Sequence, residues 1–312
     1  MIDVVISAAG TLYVPFGGLF GDCGNYNGRV VAISTADPTN VKSWATTLNA
    51  GGIWAPGGAS SDGKYVYVAT GNTEGAQMVG GAYVWGGGDA VIRLGTGAAF
   101  TDAPAYFAPA NWHNLDVADL DMGTSPILFD QPGSTPSHLA IVFAKVGEAY
   151  LLDRNDLPGV GSALGATGTA NSTKKVVIGQ IISAPVLYTT KTATYASFKG
   201  KAVTCPTGSG SLTTITITPG SPPSLAPAWC GGAGTGSPIV TTSDGTNDAI
   251  VWLMGTEGSG QLQAFDGDTG ATLSFAGSTV SIPNTRRYNA PIAAKGKIYV
   301  AADGAVVAFS LH

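Results

Sequence analysis

Three aspartates within one short segment form the densest group of reactive side chains in the chain. Asp116, Asp119 and Asp121 lie in LDVADLDMG, and His113 comes just before them. Carboxylates this close repel one another unless a cation or hydrogen-bond donors offset their charge. Because oxygen ligands suit calcium, the spacing predicts a calcium site at these three aspartates. The alternative is that they cap a turn by accepting hydrogen bonds from backbone N–H groups.

Acidic side chains also recur where predicted strands meet turns. Glu74, Glu148 and Glu257 lie at three such turns, and Asp22 and Asp89 lie at two others. A pair of carboxyl groups that face one space can act as acid and base on a glycosidic bond. The alternative is that these are turn residues that face water.

Adjacent arginines add a third candidate group. Arg286 and Arg287 stand beside Tyr288. Arginine suits the recognition of an anion or a carboxylate, and it equally suits a structural clamp on an acidic neighbour. The candidate catalytic residues are therefore Glu74, His113, Asp121, Glu257, Arg286 and Arg287.

Composition excludes several classes of protein. Charged residues make up 11% of the 312, the net charge is −5, and no basic run exceeds a dipeptide. Nucleic-acid binding needs a positive stripe, so it is not expected. No apolar stretch approaches the ~20 residues of a membrane helix, and no membrane span is expected. The chain has three histidines, and two of them, His138 and His312, are predicted to lie in a turn and at the terminus. A zinc site with three histidine ligands is therefore not expected. No Ser-hydrolase elbow, P-loop or dinucleotide-binding glycine motif is present.

A glycine followed by an alternating apolar strand recurs along the chain. Each copy follows another apolar strand, and most are preceded by a third strand with a proline at its start, as in TSPILF and SAPVLY. Proline is tolerated at the first residue of a strand. The copies are GRVVAIS from Gly28, GDAVIRL from Gly88, GEAYLLD from Gly147, GSLTTIT from Gly210, GQLQAFD from Gly260 and GAVVAFS from Gly304.

These repeats predict an all-β protein, a β-propeller of about six four-stranded blades that forms a single domain over residues 1–312. A β-sandwich has too few equivalent strands for six copies of one unit. The last copy lacks an outer strand. It is either a thin closing blade or the end of a truncated ring of seven or eight blades.

The longest loops fall on one face of the predicted propeller. We name the four strands of a blade A to D in chain order. The B–C and D–A loops then share one face, and functional residues concentrate on such loops. Trp54, Trp85 and Trp229 map to this face or to blade ends, where they would stack on a planar ring or a sugar, or else wedge between blades. The long loops are 17–27, 71–87, 111–123, 198–209, 229–236 and 283–289.

Two of the three cysteines fall near each other on that face. Cys205 lies in a B–C loop and Cys230 in the next D–A loop, whereas Cys23 lies elsewhere. Cys205 and Cys230 form either a disulfide or two buried thiols, and the sequence leaves both open.

The repeats resemble the pyrroloquinoline-quinone-like (quinoprotein) β-propeller family over nearly the whole chain. The residues that carry the resemblance are LQAFDGDTGATLSF, the strand starts such as SAPVLY, and GGIWAPGG with YVYVATGNT. In LQAFDGDTGATLSF, Ala264, Asp266, Thr269 and Gly270 match the family's docking motif, but Ser274 stands where the family has tryptophan. The sequence around YLLDRNDLPGVG resembles that of an exported bacterial branch of the family.

The resemblance implies a quinone and calcium in the family's dehydrogenases, and a non-catalytic binding role in other members. We expect a periplasmic or secreted propeller that binds a small molecule, a glycan or a protein on its long-loop face. The alternatives are a quinone- and calcium-dependent alcohol or sugar dehydrogenase, and a polysaccharide hydrolase or lyase. MIDVVIS lacks the basic start of a signal peptide, so we expect that a longer natural chain was trimmed or truncated here.

Overall fold

Short antiparallel sheets, joined by glycine-rich turns, make up almost all of the regular structure. The computed structural model describes residues 5–6, 10–18, 24–54, 56–97, 100, 104–161 and 173–310. Asp22 and Cys23 lie outside the described residues. Contacts between Cα atoms divide the chain into two compact units, Met1–Lys174 and Lys175–His312.

The first unit contains three sheets whose strands follow the predicted A-to-D order. A short parallel strand, Gly159–Gly161, adds to the D strand of blade two. Blade one comprises Val5–Ile6, Thr11–Phe16, Arg29–Ser34 and Val41–Ala45; blade two comprises Ser60–Ser61, Tyr65–Ala69, Val91–Gly95 and Ala105–Pro109; blade three comprises Ile127–Asp130, His138–Phe143, Glu148–Asp153 and Thr173–Lys175.

The second unit continues the same order through three further sheets. Blade six has three strands, as expected from the missing outer strand. Blade four comprises Val186–Thr189, Thr194–Lys199, Leu212–Thr218 and Ser224–Gly231; blade five comprises Ile239–Thr241, Ile250–Met254, Leu262–Asp266 and Thr272–Leu273; blade six comprises Ile292–Ala294, Lys297–Ala302 and Ala305–Ser310.

The B–C and D–A loops contain one short helix and several pairs of short strands. Among the described residues there is one α-helix, Trp112–Val117, which the sequence analysis missed. No described helix is long and apolar enough to cross a membrane. The short pairs are Asn49–Ala50 with Thr73–Glu74, Met78–Val79 with Ala82–Tyr83, and Val177–Ile178 with Lys201–Ala202.

Alternating apolar side chains of the B and C strands fill the core of each unit. In the first unit, Val66 and Val68 pack with Ile92 on one side of blade two, and Tyr67 and Val91 pack on the other. Strands buried on both faces are expected when sheets are stacked face to face, because each face then meets a neighbour. All of these side chains are at most 1% exposed.

The turn in LQAFDGDTGATLSF has the structure that its residues predict. The carboxylate of Asp266 accepts hydrogen bonds from the backbone N–H of Thr269 at 2.8 Å and from the Thr269 hydroxyl at 2.7 Å. Gly270 has φ 73°, and a Cβ there would lie 2.6 Å from Cδ2 of Trp229. Glycine is therefore needed both for the backbone conformation and for the close packing of the indole. This segment joins the C and D strands of blade five.

Candidate functional site

Within each sheet, the antiparallel register brings the end of strand B, the start of strand C and the end of strand D to one edge. In blade four, Lys199 pairs with Leu212, and Leu212 pairs with Gly231. The long loops therefore share an edge within their own blade, as the repeats predict. Two groups of polar side chains lie at these edges, one in each unit.

The group in the first unit is built on the segment that carries the three aspartates. Asp116 lies in the helix Trp112–Val117, which buries Trp112 and Leu115. The helix ends as the N–H of Leu120 donates to the carbonyl of Leu115 at 2.9 Å. Asp119 takes a left-handed conformation there, with φ 53°, which aspartate tolerates better than most residues. This helix end turns the chain so that Asp121 follows on the same side as Asp116.

Asp116 and Asp121 both accept hydrogen bonds from the long loop of blade two. The N–H of Thr73 donates to Oδ1 of Asp116 at 2.5 Å. Oδ2 of Asp121 accepts from the indole N–H of Trp54 at 3.1 Å and from the N–H of Asn72 at 3.2 Å. The aspartates thus meet backbone donors, but on another loop rather than in their own turn.

Gly71 makes this approach of the two loops sterically feasible. A Cβ at this position would lie 2.6 Å from Oδ2 of Asp121 and 2.9 Å from Nε1 of Trp54. Both contacts are shorter than packed atoms tolerate. The residue before Asn72 must therefore lack a side chain for Trp54 and Asp121 to meet.

Lys145 supplies the cation that the aspartates need. Its ammonium lies 2.8 Å from Oδ1 of Asp121 and also forms an ion pair with Asp119, while 4.8 Å separates it from the centre of the Trp54 ring. The backbone N–H of Lys145 donates to the carbonyl of Asp121 at 2.8 Å. Burial lowers the pKa of Lys145, but Asp121 and Asp119 outweigh burial and leave the pKa above its ordinary value.

This geometry does not support the predicted calcium site. Asp119 and Asp121 share the ammonium of Lys145, whereas Asp116 faces Thr73. Across the described ranges, no group of three or more His, Cys, Asp and Glu side chains is placed to hold a metal ion. The physical reason is that a lysine from the B–C turn of blade three already offsets the charge.

Asp89 completes the cluster from the end of the blade-two loop. It is fully buried, and no donor in the described structure reaches either of its carboxylate oxygens. Burial raises its pKa to about 10, and a hydrogen bond with Asp116 and the negative charges of Asp121 and Asp116 add to the increase. Asp89 is therefore a neutral acid at pH 7 whose own proton bonds to Asp116. Asp89 and Asp116 thus lie together in the buried part of this cluster, and burial keeps Asp89 protonated.

The raised pKa of Asp89 predicts that unfolding is coupled to pH. Folded Asp89 keeps its proton up to about pH 10, whereas the unfolded side chain loses it near the ordinary value of 3.8. The folded state therefore binds more protons between these limits, and this group's contribution to stability falls as pH rises, by up to about 1.4 kcal/mol per pH unit. Asp89→Asn mimics the neutral acid. Between about pH 5 and pH 9, we therefore expect the free energy of unfolding, measured with urea, to fall less in this variant than in the wild type.

The matched control is Asp37→Asn in the same unit. Thr39 lowers the pKa of Asp37 through a hydrogen bond between the two side chains, so this carboxylate affects stability only in acid and with the opposite sign. An Asp89→Asn protein with the wild-type pH slope would show that Asp89 is ionised in the fold.

The predicted glutamates lie apart from this cluster, each with its own partner. Glu74 is exposed and accepts a hydrogen bond from the amide of Asn49 at 2.8 Å. Glu148 accepts from the hydroxyl of Tyr150 at 2.7 Å. Glu257, in the second unit, pairs with Arg287 at 3.0 Å. The structure therefore does not bring these three glutamates together, and an acid–base pair among them stays a prediction.

His113 is enclosed by aromatic rings and carries no catalytic partner. Its ring stacks on Tyr83, with 3.5 Å between the centroids, and Trp112 meets it edge-on. Its buried Nδ1 has no hydrogen-bond partner among the residues described. The structure thus brings His113 beside the blade-two hairpin.

The three candidate tryptophans are largely occupied by packing. Trp229 is 1% exposed and donates to the carbonyl of Gly267 at 3.0 Å, so it packs in the core. Trp85 stacks on Tyr106 with 3.8 Å between the centroids, and Trp54 faces Lys145. The described residues also offer calcium no set of His, Cys, Asp and Glu ligands, so this geometry gives the quinone and calcium pair no support.

The second group surrounds a cavity of about 340 Å³ in the second unit. Its wall comes from the segment that leads into blade four, from the B–C edge of that blade, and from two D–A loops. Arg287, a predicted candidate, is part of the wall, while Arg286 pairs with Asp303 through two nitrogens. The lining residues are Ile178, Gly179, Gln180, Ile182, Ser183, Lys199, Gly200, Lys201, Ser211, Thr235 and Arg287.

A disulfide anchors the loop that forms one side of this cavity. Cys205 is bonded to Cys230, with 6.0 Å between their Cα atoms. The N–H of Cys230 donates to the carbonyl of Thr207 at 2.9 Å, which ties the same loop to strand D. Of the two alternatives that the sequence left open, the structure contains the bonded one. The loop begins at Lys201, so the bond limits how far this part of the wall can move.

Four contributors to these sites were missed in the sequence. The helix Trp112–Val117 was missed because six residues are too few to show helical periodicity. Lys145, Lys199 and Lys201 were missed because a lysine at a turn looks like any solvated charge. The turn at Gly147 was a signal for the position of Lys145, but not for its partners.

Comparison with solved structures bears on the fold alone. No protein-family model matches the chain, and no curated protein matches it. The chain is similar to the β-propeller domain of Cps50 (Swd1) from Myceliophteria thermophila, with 9% identity, a TM-score of 0.54, and coverage of 99% of this chain and 82% of that one. It also aligns with apo AztD from Citrobacter koseri, with 11% identity, a TM-score of 0.37, and coverage of 99% of this chain and 83% of that one. The six blade-like sheets and the first likeness together show that the chain has an all-β, β-propeller fold.

Proposed function

We propose that this β-propeller is a binding protein of quinoprotein type that holds a small ligand at its long-loop edge. The cavity of about 340 Å³ in the second unit carries the proposal. Ligand pockets begin at about 300 Å³ and combine apolar walls with a few polar groups. Ile178 and Ile182 supply apolar surface here, and Ser183, Thr235 and Arg287 supply polar groups.

The surroundings of the cavity favour a preformed binding site. Val177–Ile178 pairs with Lys201–Ala202, so two sides of the wall are joined by a short antiparallel ladder. The Cys205–Cys230 bond fixes the loop that follows. A wall that is ordered before binding loses less conformational entropy when the ligand arrives.

The disulfide also supports the expected location. Structural disulfides persist in oxidising compartments and are rare in the cytosol. We therefore infer that the protein is exported to the periplasm or the cell exterior, where Cys205 and Cys230 remain bonded.

Filling the cavity tests the binding proposal. Ile182 lines the cavity and is half-buried, so Ile182→Trp is expected to occupy the space and abolish ligand binding without unfolding the protein. Thermal shift and titration calorimetry would use a panel of monosaccharides, sugar acids and sugar phosphates. The matched control is Ile292→Trp, since Ile292 is 65% exposed in blade six and does not line the cavity. Binding that survives Ile182→Trp, or that both variants lose, would contradict the proposal.

A further inference from the structure

The wall of the cavity is strongly basic although the chain as a whole is acidic. Lys199, Lys201 and Arg287 line the space, and no aspartate or glutamate is among the lining residues. The chain has 15 basic residues, 20 acidic residues and a net charge of −5. Three cations at one small cavity are therefore not a consequence of overall composition.

The basic side chains repel one another across the cavity. Burial lowers the pKa of Lys199, and the charge of Arg287 lowers it further, while Glu257 acts in the opposite direction. Glu257 pairs with Arg287 at 3.0 Å and offsets one charge, and it also accepts a hydrogen bond from the hydroxyl of the lining residue Thr235 at 3.3 Å. In the described part of the chain, no ion pair joins a carboxylate to Lys199 or Lys201. Lys199 and Lys201 thus contribute positive charge that no paired carboxylate of the described residues offsets, which favours the arrival of an anion.

Neutral hydrogen-bond donors accompany the cations. Ser183 is 1% exposed, and its buried hydroxyl lacks a hydrogen-bond partner in the described structure. An unsatisfied buried hydroxyl is costly, so a lining residue that carries one points to a partner from outside the protein. The next residue, Ala184, is held by a bond from its N–H to the hydroxyl of Ser237 at 3.0 Å, which keeps Ser183 in place.

We propose that the cavity recognises a small ligand through an anionic group, a carboxylate or a phosphate, that lies between Lys199, Lys201 and Arg287. This inference rests on the proposed ligand-binding function and names its chemistry. Nε and Nη2 of Arg287 contact Glu257, so Arg287 offers the anion its remaining guanidinium donors, and the two lysines offer point charges that suit either oxyanion. The cavity volume limits the ligand to the size class of a monosaccharide derivative.

Titration calorimetry with a matched set of sugars tests the inference. The probes are glucose, glucuronate and glucose 6-phosphate, which share a ring and differ in charge. We expect glucuronate or glucose 6-phosphate to bind and glucose to bind at least about tenfold more weakly, because one charge-assisted contact is worth about that factor. The affinity of the anion should also fall as salt rises, since exposed charges are screened.

Charge variants identify the site of binding. Lys201 is exposed on the short strand Lys201–Ala202, so Lys201→Glu is expected to leave the fold intact and to weaken anion binding by more than about tenfold. Arg287→Gln should weaken it by a similar factor. Lys191→Gln is the control, because Lys191 is exposed in the turn at the opposite edge of blade four and should leave binding unchanged.

The outcomes separate the two proposals. Anion binding that Lys201→Glu and Arg287→Gln weaken, while Lys191→Gln does not, supports both. Glucose that binds as tightly as the anions and is blocked by Ile182→Trp keeps the binding function but overturns the anion inference. Binding of neither class overturns both. Stronger binding of glucuronate identifies a carboxylate ligand, and stronger binding of glucose 6-phosphate identifies a phosphate ester.

Discussion

Replacement of Lys145 by methionine is expected to lower the free energy of unfolding by about 3–5 kcal/mol, the usual cost of leaving a buried charge without its partner. The side chain of Asp121 is 1% exposed and that of Lys145 is 14% exposed, so solvent cannot replace the lost cation. Burial already raises the pKa of Asp121, and Lys145 is the first group that acts against the increase. Urea unfolding, followed by tryptophan fluorescence, measures the change.

Two further variants show whether the cost comes from the buried pair. Lys42→Met removes an exposed lysine of blade one and should change stability by no more than about 0.5 kcal/mol. The double variant Lys145→Met with Asp121→Asn removes both charges and should recover a large part of the loss. Equal losses in the single and double variants would show that packing of the lysine stem on Trp54 dominates, and that the ion pair contributes little.

Loss of the Cys205–Cys230 bond is expected to lower the free energy of unfolding by about 3 kcal/mol in the chain-entropy model. The bond closes a loop of 25 residues, which restricts the unfolded chain more than the folded one. The variant with Cys205→Ala and Cys230→Ala should therefore unfold at lower urea than the oxidised wild type. Reduction of the wild type should produce a similar shift, and reductant should not affect the variant.

A thiol count checks the state of the cysteines before these measurements. The chain has three cysteines, so unfolded wild-type protein should show one thiol before reduction and three afterwards. Three thiols before reduction would contradict the bond. The lost bond would also free the loop that carries Lys201, so we expect weaker ligand binding in the double alanine variant.

The strand repeats could be predicted because their causes are local. Each of the six glycine-led copies coincides with a C strand, from Arg29–Ser34 to Ala305–Ser310. Alternating apolar residues form a strand wherever two faces must be buried, and in three copies Gly147, Gly260 and Gly304 adopt the positive φ of a tight turn before the strand. The four prolines in TSPILF, SAPVLY, GSPIVTT and NAPIAA each stand directly before an A strand, where no ladder N–H is needed.

The candidate site was predictable only in part, because its contacts join distant segments. The sequence indicated that the negative charges of Asp116, Asp119 and Asp121 must be balanced. It suggested a calcium ion, or hydrogen bonds from backbone N–H groups of their own turn. The structure instead provides Lys145 from the next blade and N–H groups of the blade-two loop. The residue type shows that a buried carboxylate needs a donor or a cation. It does not show which donor or cation lies beside it in the folded chain.

The sequence by itself determined the β-propeller fold, the order of strands in each blade, the edge on which the long loops lie and the capped turn at Asp266. These features follow from the alternation of apolar and polar residues in strands and from the residue types that favour turns. Both depend only on residues close together in sequence. Only the tertiary structure decided that Asp89 is a buried neutral acid, that Trp229 packs in the core, and that Lys199, Lys201 and Arg287 face one cavity. Burial and charge proximity depend on which loops meet, and that is settled by the packing of whole strands.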